Sequence, residues 1–394
     1  MEDVEVQLEG AYTEVQVTEE DGAFAFPLMA TGNNYRVSPF KDNDPLNGIS
    51  TLDLVLIQRN ILGIELLDSP YKLIAADVDN SGNVNGIDLV ELRKLILGIY
   101  DHFPKNNSWK MVDATYTFSD TKNPFLNDIP ENYVVSNFSE DRNVDFIGVK
   151  IGDVNNSVQL AGRPIVAGRS NQSYELICDD KKLIAGEETE LLFRTNEAES
   201  IFGAQLELLF DLDKAELVAI EPLAHDMGQA NFNTNRLEQG RVLMSWNSMK
   251  ATQEGQELFK VAIVPHVDGF VHDLVQLTSK TFAQEAYLDN AAVRLALNFD
   301  STEELLEDGV VLYQNTPNPW TDYTEIKYYL PSDKDIVLSL YDINGKLIYR
   351  EQKNAKKGFN KVLLSNQELN NGGVFYYELQ AENTRYVQKM IHID

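Results

Sequence analysis

Two stretches of this 394-residue sequence repeat one pattern, in which an oxygen-rich segment precedes a helical one. Residues 42–63 read "DNDPLNGISTLDLVLIQRNILG" and residues 77–98 read "DVDNSGNVNGIDLVELRKLILG", and the two align without a gap. In the second copy Leu92 and Ile96 fall at helical spacing, and Gly98 stands where a glycine commonly ends a helix. A surface turn has no reason to recur in register, so the repeat predicts two loop–helix units.

The second loop has the ligand spacing of a helix-flanked calcium loop. Such a loop draws oxygen ligands from positions 1, 3, 5, 7, 9 and 12 and bends sharply at a glycine in position 6. Counted from Asp77, the ligand positions hold Asp77, Asp79, Ser81, Asn83, Asn85 and Asp88, and Gly82 takes the bend. A plain turn is the alternative, because Asn, Asp, Ser and Gly dominate turns for backbone reasons alone. The complete frame and the helix behind it favour the metal site.

The first loop fills the same frame less completely. Its predicted metal-site residues, at positions 1, 3, 7 and 12, are Asp42, Asp44, Gly48 and Asp53. Leu46 at position 5 has no side-chain oxygen, and Asn47 replaces the glycine at position 6. Asparagine tolerates the left-handed backbone that the bend requires, so we expect a weaker calcium site here.

The paired loop–helix units, each with aspartate at position 12, resemble a dockerin module, and the resemblance covers residues 41–100. It implies a small all-α domain with Ca2+ as its cofactor, which docks onto a cohesin domain in a secreted assembly. Dockerins usually contact their partner with the residues before the position-12 aspartate and along the next helix. The corresponding residues here are Thr51, Leu52, Arg59, Gly86, Ile87 and Lys94. They differ from the Ser-Thr pair of many cellulosomal dockerins, so the identity of the partner stays open.

Composition restricts the class of protein and its partners. The formal net charge of −29 disfavours nucleic acid and anionic membranes, because phosphate binding needs clustered lysine and arginine. A hydrophobic content of 43% is that of a folded chain, and the length predicts several domains. Cys178 is the single cysteine, which excludes an internal disulfide. No apolar run approaches the roughly 18 residues of a membrane span.

Strand-like alternation predicts a mainly β, multi-domain fold of sandwiches or jelly rolls around the helical module. Residues 1–40 contain "TEEDGAFAFPLMATGNNYRVSP", which resembles the second half of a transthyretin-like or carboxypeptidase-regulatory-like sandwich. The missing first half and signal peptide predict that Met1 is not the natural start. The alternative is that another segment covers the strand edge that would otherwise be exposed near Val4. Residues 101–160 are expected to be an extension that packs on the helical module. Their closing "GDVNNS" lacks the twelve-residue frame and favours a turn.

Residues 161–300 carry short strand-like segments at regular intervals, a pattern typical of an antiparallel sandwich. The segments "AGEETELLFRTNEAESIFGAQLELLFDLDKAELVAIE", "GRVLMSWNS" and "GQELFKVAIVP" resemble a cohesin domain. A chain with both a dockerin-like and a cohesin-like domain is predicted to bind a cohesin- or dockerin-type partner or to self-associate.

Residues 308–394 show four markers in order: "NTPNPW", "LYDINGK", "GGVFYYEL" and a final Lys-Met-hydrophobic strand. They resemble the type A C-terminal sorting domain of the Bacteroidetes type IX secretion system. The resemblance implies an immunoglobulin-like sandwich, recognition by that secretion machinery, and a protein that is secreted or held at the outer-membrane cell surface. The alternating residues Ile336, Leu338 and Leu340 are expected to face one side of the sandwich.

The sequence contains no catalytic constellation. The five histidines, His102, His225, His266, His272 and His392, stand outside the metal, nucleophile-elbow and phosphate-loop motifs. His266 and His272 are expected to be solvated at strand ends. We therefore predict no catalytic residue and no organic cofactor.

These observations favour a non-catalytic, calcium-stabilised extracellular protein that acts in adhesion or protein assembly. The alternative is the C-terminal accessory and sorting region of a larger secreted enzyme, such as a peptidase or glycoside hydrolase. A carbohydrate-binding sandwich needs a row of exposed aromatic side chains, and Phe232, Trp246 and Tyr287 are too scattered in the sequence to form one.

Overall fold

The computed structural model describes residues 1–160, 173–196, 200–289, 292–301, 309–316, 318–320, 322–369 and 372–393. The chain divides into two compact units, Met1–Gly168 and Arg169–Asp394. Strands dominate the described residues, and their α-helices all lie in the first unit. The predicted fold class, a mainly β multi-domain chain with one small helical module, is confirmed. The start of the predicted domain 161–300, residues 161–172, and the first residue of the predicted domain 308–394 lie outside the described residues.

The first unit contains a four-stranded antiparallel sheet and a two-stranded ribbon. Its strands are β1 (Glu5–Glu9), β2 (Glu14–Val17), β3 (Tyr35–Phe40), β4 (Trp109–Asp113), β5 (Tyr133–Val135) and β6 (Phe146–Lys150). The sheet has the order β2-β1-β3-β5, and β4 pairs with β6 in the ribbon. The strand edge near Val4 is covered, because β2 and β3 flank β1 on both sides. Since β5 pairs with β3, the sheet joins residues 1–40 to the segment 101–160.

The segment 101–160 contacts both the sheet and the helices. Trp109 and Met111 on β4 share a core with the buried residues of β1 and β3. Beyond β6, the Gly152 amide donates a hydrogen bond to the Ala75 carbonyl (2.8 Å), within the helical module. The end of this segment is thereby held close to the helices.

Three helices form the helical module: α1 (Thr51–Ile61), α2 (Pro70–Ala76) and α3 (Gly86–Ile96). As predicted, α1 and α3 follow the two repeated loops, and they pack against each other. Each of these two helices begins with a capping box between its N-cap residue, Ser50 or Asn85, and the position-12 aspartate. Gly98 follows α3 with a positive φ of 64°, as expected for a glycine that ends a helix. Helix α2, whose N-cap is Ser69, lies between the two repeats and is not predicted by their pattern.

The second unit begins with a ten-stranded array. Its strands are β7 (Ser173–Asp180), β8 (Lys182–Leu183), β9 (Thr189–Thr195), β10 (Gly203–Phe210), β11 (Ala215–Pro222), β12 (Phe232–Asn233), β13 (Arg241–Asn247), β14 (Glu257–Pro265), β15 (Gly269–Phe270), β16 (Val275–Leu277), β17 (Glu285–Tyr287) and β18 (Ala292–Ser301), of which β8 and β15 form a separate pair. The order is β11-β14-β9-β7-β18-β17-β10-β13-β12, with β16 beside β10. Phe232 on β12 and Phe259 on β14 lie near opposite ends of this order, yet their ring centroids are 5.4 Å apart. The array therefore folds over one core as a sandwich.

Two further sheets share one core in the remainder of the second unit. Their strands are β19 (Val311–Leu312), β20 (Tyr323–Leu330), β21 (Lys334–Asp342), β22 (Leu347–Ala355), β23 (Gly358–Ser365), β24 (Gly373–Ala381) and β25 (Thr384–His392). The sheet orders are β19-β20-β23 and β22-β21-β24-β25. Ile336, Leu338 and Leu340 on β21 are all buried, which confirms their predicted common face. Ile326 on β20 belongs to the same core, so the two sheets form a sandwich.

Candidate metal centre in the helical module

The second repeated loop brings three carboxylates together. Asp77, Asp79 and Asp88 each offer an oxygen atom that lies within 4.8 Å of the other two. Asp88 is completely buried, and Asp77 and Asp79 are 4% and 9% exposed. Three carboxylates rarely lie so close in a buried position unless something compensates their charge.

Backbone amides hold two of these carboxylates in place. The Asp77 carboxylate accepts hydrogen bonds from the amides of Ser81 and Gly82, both at 2.9 Å. The Asp88 carboxylate accepts from the amides of Asp79 (3.1 Å) and Asn85 (2.8 Å). Gly82 has a φ of 76°, the left-handed conformation that the bend at position 6 requires. The loop is thus folded around its first and last ligand positions.

One oxygen in the loop has no protein partner. Asp79 Oδ1 is buried and accepts no hydrogen bond, although a buried polar atom without a partner costs free energy. Burial raises the pKa of Asp77 and of Asp88, and repulsion from Asp79 adds to both shifts. A cation with a preference for oxygen ligands satisfies the free oxygen and removes the repulsion. The donor set fits calcium, which takes carboxylate, carbonyl and hydroxyl oxygens.

The structure does not assemble the set predicted for the first loop. Asp42 and Asp44 are exposed, and Asp42 Oδ1 instead accepts a hydrogen bond from the Ser108 amide (2.7 Å). Asp53 is completely buried at the start of α1. Within the part of the chain that the structure describes, Asp77, Asp79 and Asp88 form the single cluster of this kind.

A lysine side chain lies against the first loop instead. The Lys150 ammonium donates to the carbonyls of Asp44 and Pro45, both at 3.0 Å. Lys150 is only 4% exposed, and burial lowers its pKa to about 8 against the opposing charges of Asp44, Asp153 and Asp42. The aspartates of this loop therefore have a protein cation near them.

The residues predicted to contact a partner differ in exposure between the two repeats. Thr51, before the first position-12 aspartate, is completely buried, and the Arg59 side chain pairs with Glu65 (3.2 Å). In the second repeat Gly86 is exposed, and Ile87 is 54% exposed. The surface of α3 is thus accessible to a partner at positions where that of α1 is covered.

The prediction of a solvated histidine at position 272 is wrong. His272 is buried, and its Nδ1 lies 2.8 Å from Asp180 Oδ2. Its ring also stacks on Phe270 and lies near Tyr313, so it is held in the core of the second unit. These contacts describe a structural ion pair, with no nucleophile among them.

The aromatic residues considered for carbohydrate binding do not form a surface. Phe232, Trp246 and Tyr287 are all at least 97% buried, since their exposures are 3%, 1% and 0%. Phe232 and Trp246 belong to the core of the ten-stranded sandwich, and none of the three rings offers a face to a sugar.

The folds and the loop together define a modular β-rich protein with a helical domain suited to a metal ion. Residues 47–97 match the family model of the dockerin type I domain. Residues 316–393 match that of the secretion system C-terminal sorting domain. The resemblances to a dockerin and to a sorting domain are thereby confirmed, and the sorting domain indicates export to the cell surface or beyond.

Several solved cohesin structures are similar to this chain. The seventh ScaB type I cohesin from Pseudobacteroides cellulosolvens is 16% identical over 33% of this chain and 94% of its own, with a TM-score of 0.25. A chain of a type I cohesin–dockerin complex from Clostridium thermocellum is 12% identical over 33% and 94%, with a TM-score of 0.26. A non-cellulosomal cohesin from Archaeoglobus fulgidus is 10% identical over 34% and 94%, with a TM-score of 0.23.

A comparison with curated proteins gives no match. Among the described residues, no helix is both long and apolar enough to cross a membrane.

Proposed function

We propose that the protein is a non-catalytic secreted component of a protein assembly, which binds calcium in the loop 77–88 and a protein partner on α3. The observation that carries this proposal is that Asp88 belongs both to the carboxylate cluster and to the cap of α3. Its carboxylate lies in the acidic cluster and also caps the first turn of α3. Ile87 and Val90, the exposed side chains close to Asp88, lie on the same first turns of the helix. Their position therefore depends on the residue that would also hold the ion.

The residues that would hold calcium are those of the predicted second loop. Asp77, Asp79, Asp88, the hydroxyl of Ser81 and the carbonyl of Asn83 supply oxygen ligands of the type that calcium prefers. The bound ion would supply positive charge to three clustered carboxylates. The chain itself supplies the shape of the loop, through the amides that hold Asp77 and Asp88.

The surface of α3 supports a protein partner. Ile87 is 54% exposed and Val90 is 47% exposed, three residues apart and therefore on one helical face. Lys94 continues this face, where its ammonium pairs with Glu91 (3.0 Å). An apolar centre with a charged border is typical of protein interfaces. The match to the dockerin family supports a cohesin-type domain as the partner, and the sorting domain supports the type IX machinery as the partner in export.

A second copy of the chain is the partner that we test first, because the protein has its own cohesin-like sandwich. Sedimentation velocity of the full chain, over a concentration series in calcium and in chelator, measures self-association. We expect association in calcium, and we expect Ile87→Asp to abolish it because a charge would be buried in the apolar centre.

The control is Val134→Asp, a similar change at a 56%-exposed residue on β5. It is expected to leave association unchanged. Monomers at every concentration in calcium would contradict capture by a second copy. Equal association of the Ile87→Asp variant would contradict the assignment of the surface to α3.

A further inference from the structure

The turn that follows β6 has the same backbone geometry as the start of the loop 77–88. The Asp153 carboxylate accepts hydrogen bonds from the amides four and five residues later, Ser157 (3.1 Å) and Val158 (2.8 Å). Asp77 does the same with the amides of Ser81 and Gly82. The fourth residue of each segment is an asparagine with positive φ, 60° at Asn156 and 54° at Asn80. Residues 153–158 therefore have the form of positions 1 to 6 of the loop.

The start of α1 supplies the other half of the same arrangement. Asp53 Oδ2 accepts from the amide of the N-cap residue Ser50 (2.9 Å), as Asp88 Oδ2 does from the N-cap residue in the second loop. Asp53 Oδ1 accepts from the Val154 amide (3.0 Å), which belongs to the turn and lies 101 residues away in sequence. In the second loop, Asp88 Oδ1 accepts from Asp79 within the same loop. Position 12 is thus joined to positions 1 to 6 across the fold.

The two segments meet between positions 6 and 7 of the loop frame, where the first segment ends and the second begins. The Ser157 hydroxyl donates to the Gly48 carbonyl (2.8 Å), as the Ser81 hydroxyl donates to the Asn83 carbonyl (3.3 Å). Position 5 therefore contacts position 7 in both arrangements. Gly48 has a φ of 79°, and a Cβ atom there would lie 2.6 Å from Val158, so glycine is required for this approach.

The Asn47 side chain also joins the two segments through hydrogen bonds to Gln159. Its side-chain amide donates to the Gln159 carbonyl (2.8 Å), and its side-chain oxygen accepts from the Gln159 amide (3.0 Å). These paired bonds hold the residues just before Gly48 beside those just after Ser157. The loop is complete in space although its halves come from distant parts of the sequence.

One buried oxygen atom supports a ligand between these two segments. Asn155 Oδ1, at position 3, is buried and accepts no hydrogen bond, as is Asp79 Oδ1 at position 3 of the other loop. Asp53 and Asp153 are 0% and 4% exposed, and they are close enough to repel each other. The nearby Lys150 ammonium bonds two backbone carbonyls and makes no ion pair within the described residues.

We propose that these two segments form a second calcium site, split across the chain, with Asp153, Asn155 and Ser157 at positions 1, 3 and 5 and Gly48, Ser50 and Asp53 at positions 7, 9 and 12. It takes the place of the contiguous site that the sequence predicts from Asp42 and Asp44. The ion fastens the end of the segment 101–160 to the start of α1. With two carboxylates against three in the other loop, this site binds calcium more weakly.

Calcium titration of the full chain, followed by calorimetry and native mass spectrometry, tests the split site. The wild-type chain is expected to bind two ions. Asp153→Ala is expected to bind one, because it removes the position-1 carboxylate. The control is the double variant Asp42→Ala, Asp44→Ala, which removes the two ligands of the contiguous alternative and is expected to bind two.

A variant that adds a ligand charge tests the site even if Asp153→Ala fails to fold. Asn155→Asp gives position 3 the carboxylate that Asp79 has in the other loop, and it is expected to tighten the weaker site by about tenfold or more. Asp88→Ala is expected to remove the tighter ion and leave the weaker one, so the two sites fail independently.

Two results would overturn the split site. One is a wild-type chain that binds a single ion, lost in Asp88→Ala. The other is loss of the weaker ion in the Asp42→Ala, Asp44→Ala variant while Asn155→Asp leaves its affinity unchanged.

Discussion

Replacement of Asp88 by alanine tests whether calcium stabilises the first unit, and by how much. The side chain is completely buried, and its two oxygens accept hydrogen bonds from the amides of Asp79 and Asn85. Each amide left without an acceptor costs about 1–3 kcal/mol. Loss of a buried carboxylate beside Asp77 and Asp79 relieves repulsion and offsets part of this cost. In chelator we therefore expect a net loss of about 1–2 kcal/mol.

In calcium the same substitution is expected to cost more. An ion present at about 100 times its dissociation constant adds roughly 2.7 kcal/mol to the free energy of unfolding. The Asp88→Ala variant lacks the position-12 ligand and gains little of this at the loop 77–88. The extra loss in calcium over chelator is therefore about 2.7 kcal/mol, and the comparison isolates the contribution of the ion from that of the hydrogen bonds.

Denaturant unfolding of the first unit, followed in calcium and in chelator, measures this difference. The control is Asp128→Ala, which removes an exposed aspartate outside both loops and is expected to change the free energy of unfolding by less than about 0.5 kcal/mol. A calcium-induced gain in Asp88→Ala equal to that of the wild type would refute the assignment of the ion to this loop.

Two further predictions concern the second unit. Burial lowers the pKa of His272, but the hydrogen bond and charge of Asp180 raise it by more, so the folded pKa is above the ordinary value. This contribution to stability is complete below pH ~6.5 and is lost as the pH rises through the folded pKa, so calorimetry should show a melting-temperature decrease there that His272→Gln lacks. Deletion of residues 316–393 should retain the protein in the periplasm, as cell fractionation would show, and normal surface delivery would contradict this.

The features predicted correctly from the sequence depend on residues close together in the chain. The helix after each loop follows from a cap and an aspartate three residues apart, as in Asn85 and Asp88. The common face of Ile336, Leu338 and Leu340 follows from the two-residue period of a strand. The proximity of the three carboxylates in the second loop follows from the spacing of a single twelve-residue segment, and their role as metal ligands stays a prediction. Local geometry is sufficient for each of these.

The features that the sequence did not reveal depend on contacts between distant segments. β5 completes a sheet whose other strands lie in residues 1–40, and Asp180 reaches His272 across 92 residues. The turn at Asp153 has no twelve-residue frame of its own, so its sequence favours a plain turn. It resembles half of a calcium loop only when the fold brings it to Asp53. Sequence spacing measures distance along the chain, whereas a ligand set depends on distance in space. Here only tertiary packing brings these residues close together in space.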